Sequence, residues 1–428
     1  MRKVIIVFLL IILFLHISCS KKPVNITYWS YNTGPYVEAA TELVDQFNKS
    51  QRAIIVNLEY FSFESSGDHD KMVKNALEEN KAADAIQYYG STRLFAKESK
   101  ILAVPVNVFT KEEIETNFFK SALGNRLYDG RYYGLPAELN IESPGLIVNT
   151  KIFKEMRIAI PSAWYTNYGP TTWEEMYDIA KKLTIIKDGN IIQSGLGVVN
   201  RQESSMFLSL IWQMGGNYLD YEKKRINFNT PEAKKALLFI KNLITGPDRI
   251  HSTKVKGGFE GYKAGQNAMT ISAPWYGPEF RNLDFKSEYF NLPPFINGSK
   301  PYFVGEGGWG YIVNSQTRYP KEAWQFVSFL MREENINFWA VKVGAIPALK
   351  KSVESIDFVN NEIAKNFIYP ALKILDYGVD PGSQLTDTSG LIWIIVRRNL
   401  RAYLKDILSS EEALTNMTKE ANESLMLN

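Results

Sequence analysis

The sequence predicts an α/β protein of two lobes, each built on a mostly parallel, doubly wound sheet. Three observations carry this prediction. The chain has 428 residues, more than one hydrophobic core ordinarily organises. Short apolar runs at strand spacing alternate with amphipathic runs at helical spacing, the rhythm of a parallel sheet with crossover helices. That rhythm starts twice, near Val24 and again near Gly134. No internal repeat or low-complexity linker separates the two starts, so the lobes are joined by crossovers of the folded chain.

Val24 to Trp29 is the first strand. Thr33-Gly34-Pro35 then signals a helix start, with Thr33 as cap and Pro35 in a first turn that has no use for its N–H. Ala40, Leu43, Val44 and Phe47 follow at helical spacing. Ile54, Val56, Leu58 and Tyr60 alternate with Ile55, Asn57 and Glu59, the period of a half-buried strand. A polar helix from Asp70 to Asn80 leads to a strand from Asp84 to Tyr88. In the second rhythm Leu146 to Asn149 is a strand, and Thr172 with Glu175 forms a capping box ahead of Met176, Ile179, Ala180 and Leu183. Thr230-Pro231 opens a helix carrying Ala236, Leu237, Ile240 and Leu243. The chain returns to strand near Tyr302, and Pro320 opens a helix with Ala323, Val327 and Leu330. Beyond Arg332 the pattern is helical throughout.

The N-terminus predicts export. Arg2 and Lys3 precede an unbroken apolar run from Val4 to Leu15. At ~1.5 Å per residue Val4 to Ser18 spans only ~22 Å as a helix, short of a ~30 Å bilayer core. That is the pattern of a signal peptide, residues 1–19. Cys19, the single cysteine, follows small Ser18 and resembles the acylated position of a lipoprotein signal, with His16 standing where leucine is usual. Two or three acyl chains at ~0.8 kcal/mol per buried CH₂ would hold the protein on a membrane. No later stretch is apolar enough to span a bilayer.

Charge and composition exclude other classes. Lys and Arg total 49 against 46 Asp and Glu, a net charge of +3. No basic stripe interleaved with aromatics indicates a nucleic-acid groove. Only three histidines and one cysteine exist, too few for a His/Cys metal site, and no H-E-x-x-H, G-x-S-x-G or P-loop motif occurs. Gly305, Gly307 and Gly310 match G-x-G-x-x-G, but Tyr311-Ile312-Val313 continues as a strand, whereas a dinucleotide fingerprint must open a helix. No cofactor is expected. Glu138, Glu142 and Glu306 are candidates for a paired-carboxylate glycosidase site, whose spacing a sequence does not give. The aromatic content is high, 13% with 9 Trp and 23 Tyr, and without a catalytic constellation this favours binding over turnover.

Four stretches in order resemble the extracellular solute-binding protein family 1, the maltose-binding-protein-like group of ABC importers. They are ITYWSYN with QFNKS and AIIVNLEY; ADAIQYYGSTRLFAKESKILAVPV; DGRYYGLPAELNIESPGLIVNTKIF leading into PTTWEEMYDIAKKLT; and YKAGQNAMTISAPW through GEGGWGYIVN to KEAWQFVSFLM and GAIPAL. The resemblance covers Asn25 to about Leu349. It implies a non-enzymatic, monomeric binding component that captures a sugar between two hinged lobes and delivers it to permease subunits. It implies crossings near Leu135–Ile141, Lys300–Gly305 and Met331–Glu333. The N-terminal lobe is then 24–138 plus 303–331 and the C-terminal lobe 139–302 plus 332–428.

Flat rings suit the C–H faces of a sugar, and polar side chains suit its hydroxyls. Trp29 and Tyr31 end the first strand, where open α/β sheets bind ligands. The resemblance adds Tyr88, Ser91, Asn140, Trp275, Tyr276, Gly308, Trp309 and Trp393 as cleft contacts, with Tyr89 facing away from Tyr88. Trp173, Trp212, Trp324 and Trp339 sit on helical faces and are expected in the core, with Trp212 the one to test. A secreted glycan-active enzyme, a sensor on the same fold, and a polyamine or phosphate-ester binder stay open as alternatives.

Overall fold

The computed structural model describes residues 22–62, 66–139, 145–198, 202–246, 250, 258–280, 282–305, 307–386 and 390–426. The signal segment and Cys19 lie outside the described residues, as do Asn140, Glu142 and Glu306. Among the described residues no helix is long and apolar enough to cross a membrane.

Ten strands form the two main sheets: β1 (Val24–Tyr31), β2 (Ile54–Phe61), β3 (Ala85–Tyr89), β4 (Leu135–Pro136), β5 (Gly145–Asn149), β6 (Ile185–Lys187), β7 (Asn190–Val198), β8 (Asn267–Ser272), β9 (Ser287–Asn291) and β10 (Trp309–Val313). The first sheet runs β2-β1-β3-β10-β4 and the second β9-β5-β8-β7-β6. The two-lobe α/β expectation holds, but the sheets are mixed. β1 is parallel to β2 and β3, while β10 is antiparallel to β3 and β4. In the second sheet only β7 and β8 are parallel. Apart from the local hairpin of β6 and β7, the antiparallel partners come from distant chain segments, as when β10 enters beside β3, and periodicity carries no information on direction.

The longer helices are α1 (Gly34–Ser50), α2 (Ser66–Glu78), α3 (Trp173–Leu183), α4 (Gln202–Gln213), α5 (Pro231–Thr245), α6 (Pro320–Leu330), α7 (Glu333–Val343), α8 (Leu391–Leu404) and α9 (Ser410–Met426). Thr33 is the extended N-cap of α1, but its side chain makes no capping bond. Thr172 caps α3 by accepting from the Glu175 N–H. Its box is only half formed, because the Glu175 carboxylate accepts instead from the Thr171 N–H and the Trp164 indole. Thr230 caps α5 as expected. In β2 the alternation breaks at the end: Tyr60 is exposed and Phe61 buried.

The chain after Arg332 is not all helix. Ile346–Pro347 pairs antiparallel with Glu138–Leu139, and Gly378–Val379 pairs parallel with Phe303–Val304. Two-residue strands have no period to read, and these lie at the first two expected crossings. The third crossing falls later than Met331–Glu333. Helix α7 packs along α1, and its Ile336, Trp339, Ala340 and Val343 share a core with Leu43 and Phe47. The apolar face of α7 is buried against the first lobe, and beyond it Ala348 and Leu349 still pair with Phe119 and Phe118.

β10 has no room for a side chain at its second residue. A Cβ on Gly310 would stand 2.3 Å from the Leu135 carbonyl oxygen of β4. Gly310→Ala is therefore expected to separate β10 from β4 and destabilise the first lobe by about 3 kcal/mol or more. Urea denaturation measures this, and a midpoint equal to that of the parent would contradict it.

Candidate ligand-binding site

The carboxyl ends of β1 and β3 and the first residue of β10 bring four rings together. Trp309, 6% exposed, stacks on Tyr31 at 5.2 Å and 21° and meets the Tyr89 edge at 5.5 Å. Tyr36, on the first turn of α1, lies 6.0 Å from Trp309 and 5.8 Å from Tyr31. Tyr31, Tyr36 and Tyr89 are partly exposed, so this nest has an open side.

Beneath the nest sits Glu138, fully buried. Its carboxylate accepts from Tyr36 Oη and from Trp339 Nε1, each at 3.0 Å, and from the Trp309 backbone N–H. Burial pushes its carboxyl up to about 7 despite these three donors. A group so enclosed braces the rings from below. Arg126, also buried, donates from Nη2 to the Gly308 carbonyl at 2.6 Å and from Nη1 to Ala122 O at 3.2 Å. The backbone carbonyl of Gly308 is thus used within the protein.

Several predicted contacts lie elsewhere. Tyr88 is 2% exposed, donates to Asp70 Oδ1 at 2.7 Å and stacks on His69, among Val73, Leu77 and Phe95. Strand alternation does separate Tyr88 from Tyr89, as expected, and it is Tyr89 that meets Trp309. Trp29 donates its indole N–H to Glu59 at 2.7 Å and packs on the cluster that holds Tyr88. Ser91 is buried, donating to Asn125 O and accepting from the Arg93 N–H. Trp393, 8% exposed, belongs to the second lobe's core on α8. The Asn140 expectation falls outside the described residues.

In the second lobe Trp275 and Tyr276 stack at 3.9 Å and 27° in the 3-10 turn Pro274–Phe280 that follows β8. The Trp275 indole N–H has no acceptor among the described residues. The same holds for Trp212, whose ring approaches Tyr218 and Tyr302 beside the Phe303–Val304 crossing. The ring nest and the Trp275 turn both lie beside α7. Trp339 of α7 holds Glu138, and a Cβ on Gly344, at the end of that helix, would lie 3.4 Å from the Trp275 carbonyl oxygen.

Sequence reasoning missed Tyr36 and Arg126, gave Glu138 a weak place, and put Trp339 in the core, where it lies, without its bond to Glu138. Tyr36 was within reach, because it lies one residue past Pro35 at the carboxyl end of β1. Arg126 and Trp339 carry no local signal, since their partners are 182 and 201 residues away.

Asp70 is also raised to about 7 by burial, opposed by its bond from Tyr88. For both carboxyls the folded value exceeds the unfolded one. Between about pH 4 and 7 these two carboxyls hold protons that the unfolded chain has lost, while buried His69, lowered to about 3, acts in the opposite sense; with two carboxyls against one imidazole, stability falls as pH rises through that window. We expect a lower melting temperature at pH 8 than at pH 5, with Glu138 contributing on the order of 3 kcal/mol. Glu138→Gln should flatten the slope. A melting temperature that rises steadily from pH 5 to 8 would contradict the assignment.

Two lobes on mixed α/β sheets are the architecture of a solute-binding protein. The chain belongs to the bacterial extracellular solute-binding protein family, whose sequence pattern matches residues 33–336. An arabinooligosaccharide-binding protein of Bacillus subtilis is 22% identical over 366 residues, covering 80% of this chain and 79% of that protein. The maltose/maltodextrin-binding domain MalE from Bdellovibrio bacteriovorus bound to maltotriose has the same fold, with a TM-score of 0.73, 20% identity, and coverage of 94% of this chain and 100% of that one. The GacH receptor of Streptomyces glaucescens, solved unliganded and with acarbose, superposes with a TM-score of 0.76 at 17% identity, covering 95% and 99%.

Proposed function

We propose that this chain is the extracytoplasmic binding component of an ABC importer and that it captures an oligosaccharide between its lobes. The observation that carries the reading is the nest of Tyr31, Tyr36, Tyr89 and Trp309 on one side of the hinge, with the Trp275–Tyr276 stack on the other. Rings on both sides suit the two C–H faces of a pyranose or furanose, and hinge closure would exclude water from the hydroxyl contacts. The sugars named with its relatives, arabinooligosaccharide and maltotriose, are of this kind. For about twenty non-hydrogen atoms at ~0.3–0.4 kcal/mol each, affinity falls near the micromolar range. Such a solute is held firmly enough to be scavenged and loosely enough to be released to a permease.

Titration calorimetry with maltotriose, arabinotriose and a cyclic α-glucan tests the reading. One saturable 1:1 isotherm supports it. No heat from any of them, or release of reducing ends on incubation, would overturn it. The family places the protein outside the cytoplasm, and the N-terminal pattern supports attachment through acylated Cys19. Cys19→Ala should move the protein from the membrane fraction to the soluble exported fraction.

A further inference from the structure

We infer that the first lobe carries a second ligand site, remote from the hinge, for a small amphiphile bearing one carboxylate or phosphate. β10 runs from Trp309, beside Tyr89, to Val313, beside Ala85, so its two ends lie about 13 Å apart. A cavity of about 750 Å³ opens at the Val313 end, where the Leu102 N–H donates to Val313 O and Ile101 bridges Asn314. Ile101 and Val108 give it an apolar wall, Tyr133 a ring, and Arg131 and Lys321 two exposed cations. Among the described residues no Asp or Glu lines it.

The charged inventory is unbalanced in one direction, while the amides of Asn107 and Gln325 offer both donors and acceptors. Trp324 also lines the cavity. It is 3% exposed, and its indole N–H has no acceptor among the described residues. Two hydroxyls of the lining are already used, Ser315 donating to Ser99 O and Ser328 to Trp324 O. Two cations beside an apolar wall call for a ligand that brings negative charge and a short hydrocarbon body. A neutral sugar would leave the cations unused, and a polyamine would be repelled.

Calorimetry with octanoate, octyl phosphate and uncharged octanamide, each with and without saturating maltotriose, tests this site apart from the hinge. Octanoate or octyl phosphate should bind 1:1 whether or not maltotriose is present, and comparing the two identifies the preferred headgroup. The double variant Arg131→Glu/Lys321→Glu, altered only at exposed positions, should lose at least tenfold in affinity without a change in melting temperature. The inference is overturned by absence of saturable binding, by octanamide binding as well as octanoate, by full affinity in the double variant, or by competition with maltotriose. If no sugar binds but the anions do, the sugar reading fails and this one stands.

Discussion

Glu138→Ala is expected to destabilise the protein by about 3–5 kcal/mol, the sum of stranding three buried donors less the relief of a desolvated carboxylate. The indole of Trp339, the hydroxyl of Tyr36 and the backbone N–H of Trp309 all end on this one side chain. Without it no other described group stands ready to accept them, and a carboxylate-sized void opens under Trp309. Glu138→Gln keeps the shape and one acceptor oxygen for Trp339, its amide N–H₂ then donating to Tyr36 Oη, and should lose less stability than the alanine variant at neutral pH. Urea melts of the two variants make the comparison. If the alanine variant unfolds at the parent midpoint, Glu138 is not the support described here.

Trp275→Ala is expected to weaken sugar binding at least tenfold while leaving the melting temperature nearly unchanged. The ring is only partly buried, and its main described contact is the face of Tyr276, so its removal takes little from the core. Its indole N–H is enclosed and has no acceptor among the described residues, so a hydroxyl of the solute reaches it only once the surrounding segment moves. A stacking face and one donor together are worth about 1.5–3 kcal/mol, consistent with a tenfold loss or more. Trp275→Phe should fall between, having kept the ring and lost the donor. Parent affinity in the alanine variant would remove this stack from the site.

The contrast between Tyr88 and Tyr89 shows how far the sequence reaches. Alternation along β3 requires the two rings to face opposite ways, and they do. Which of them meets Trp309 depends on β10 pairing antiparallel with β3, a partnership across more than 200 residues. Trp393 makes the same point on a helix: its ring is buried in the second lobe's core beside Ile392 and Val396. In a helix, spacing identifies an apolar face but not whether that face meets a neighbour or a ligand.

The amino-acid sequence determined what local physics decides: the β/α rhythm, the caps at Thr172 and Thr230, the export pattern ahead of Val24, and an ordered set of motifs that names the family. Tertiary structure alone decided strand direction, the two-residue strands at the crossings, and the burial of Glu138 under Tyr36, Trp309 and Trp339. The reason lies in range. Periodicity and capping act within a few residues, whereas the ring nest assembles from segments near positions 31, 89, 138, 309 and 339. Their meeting is written only in how the two halves of the chain pack.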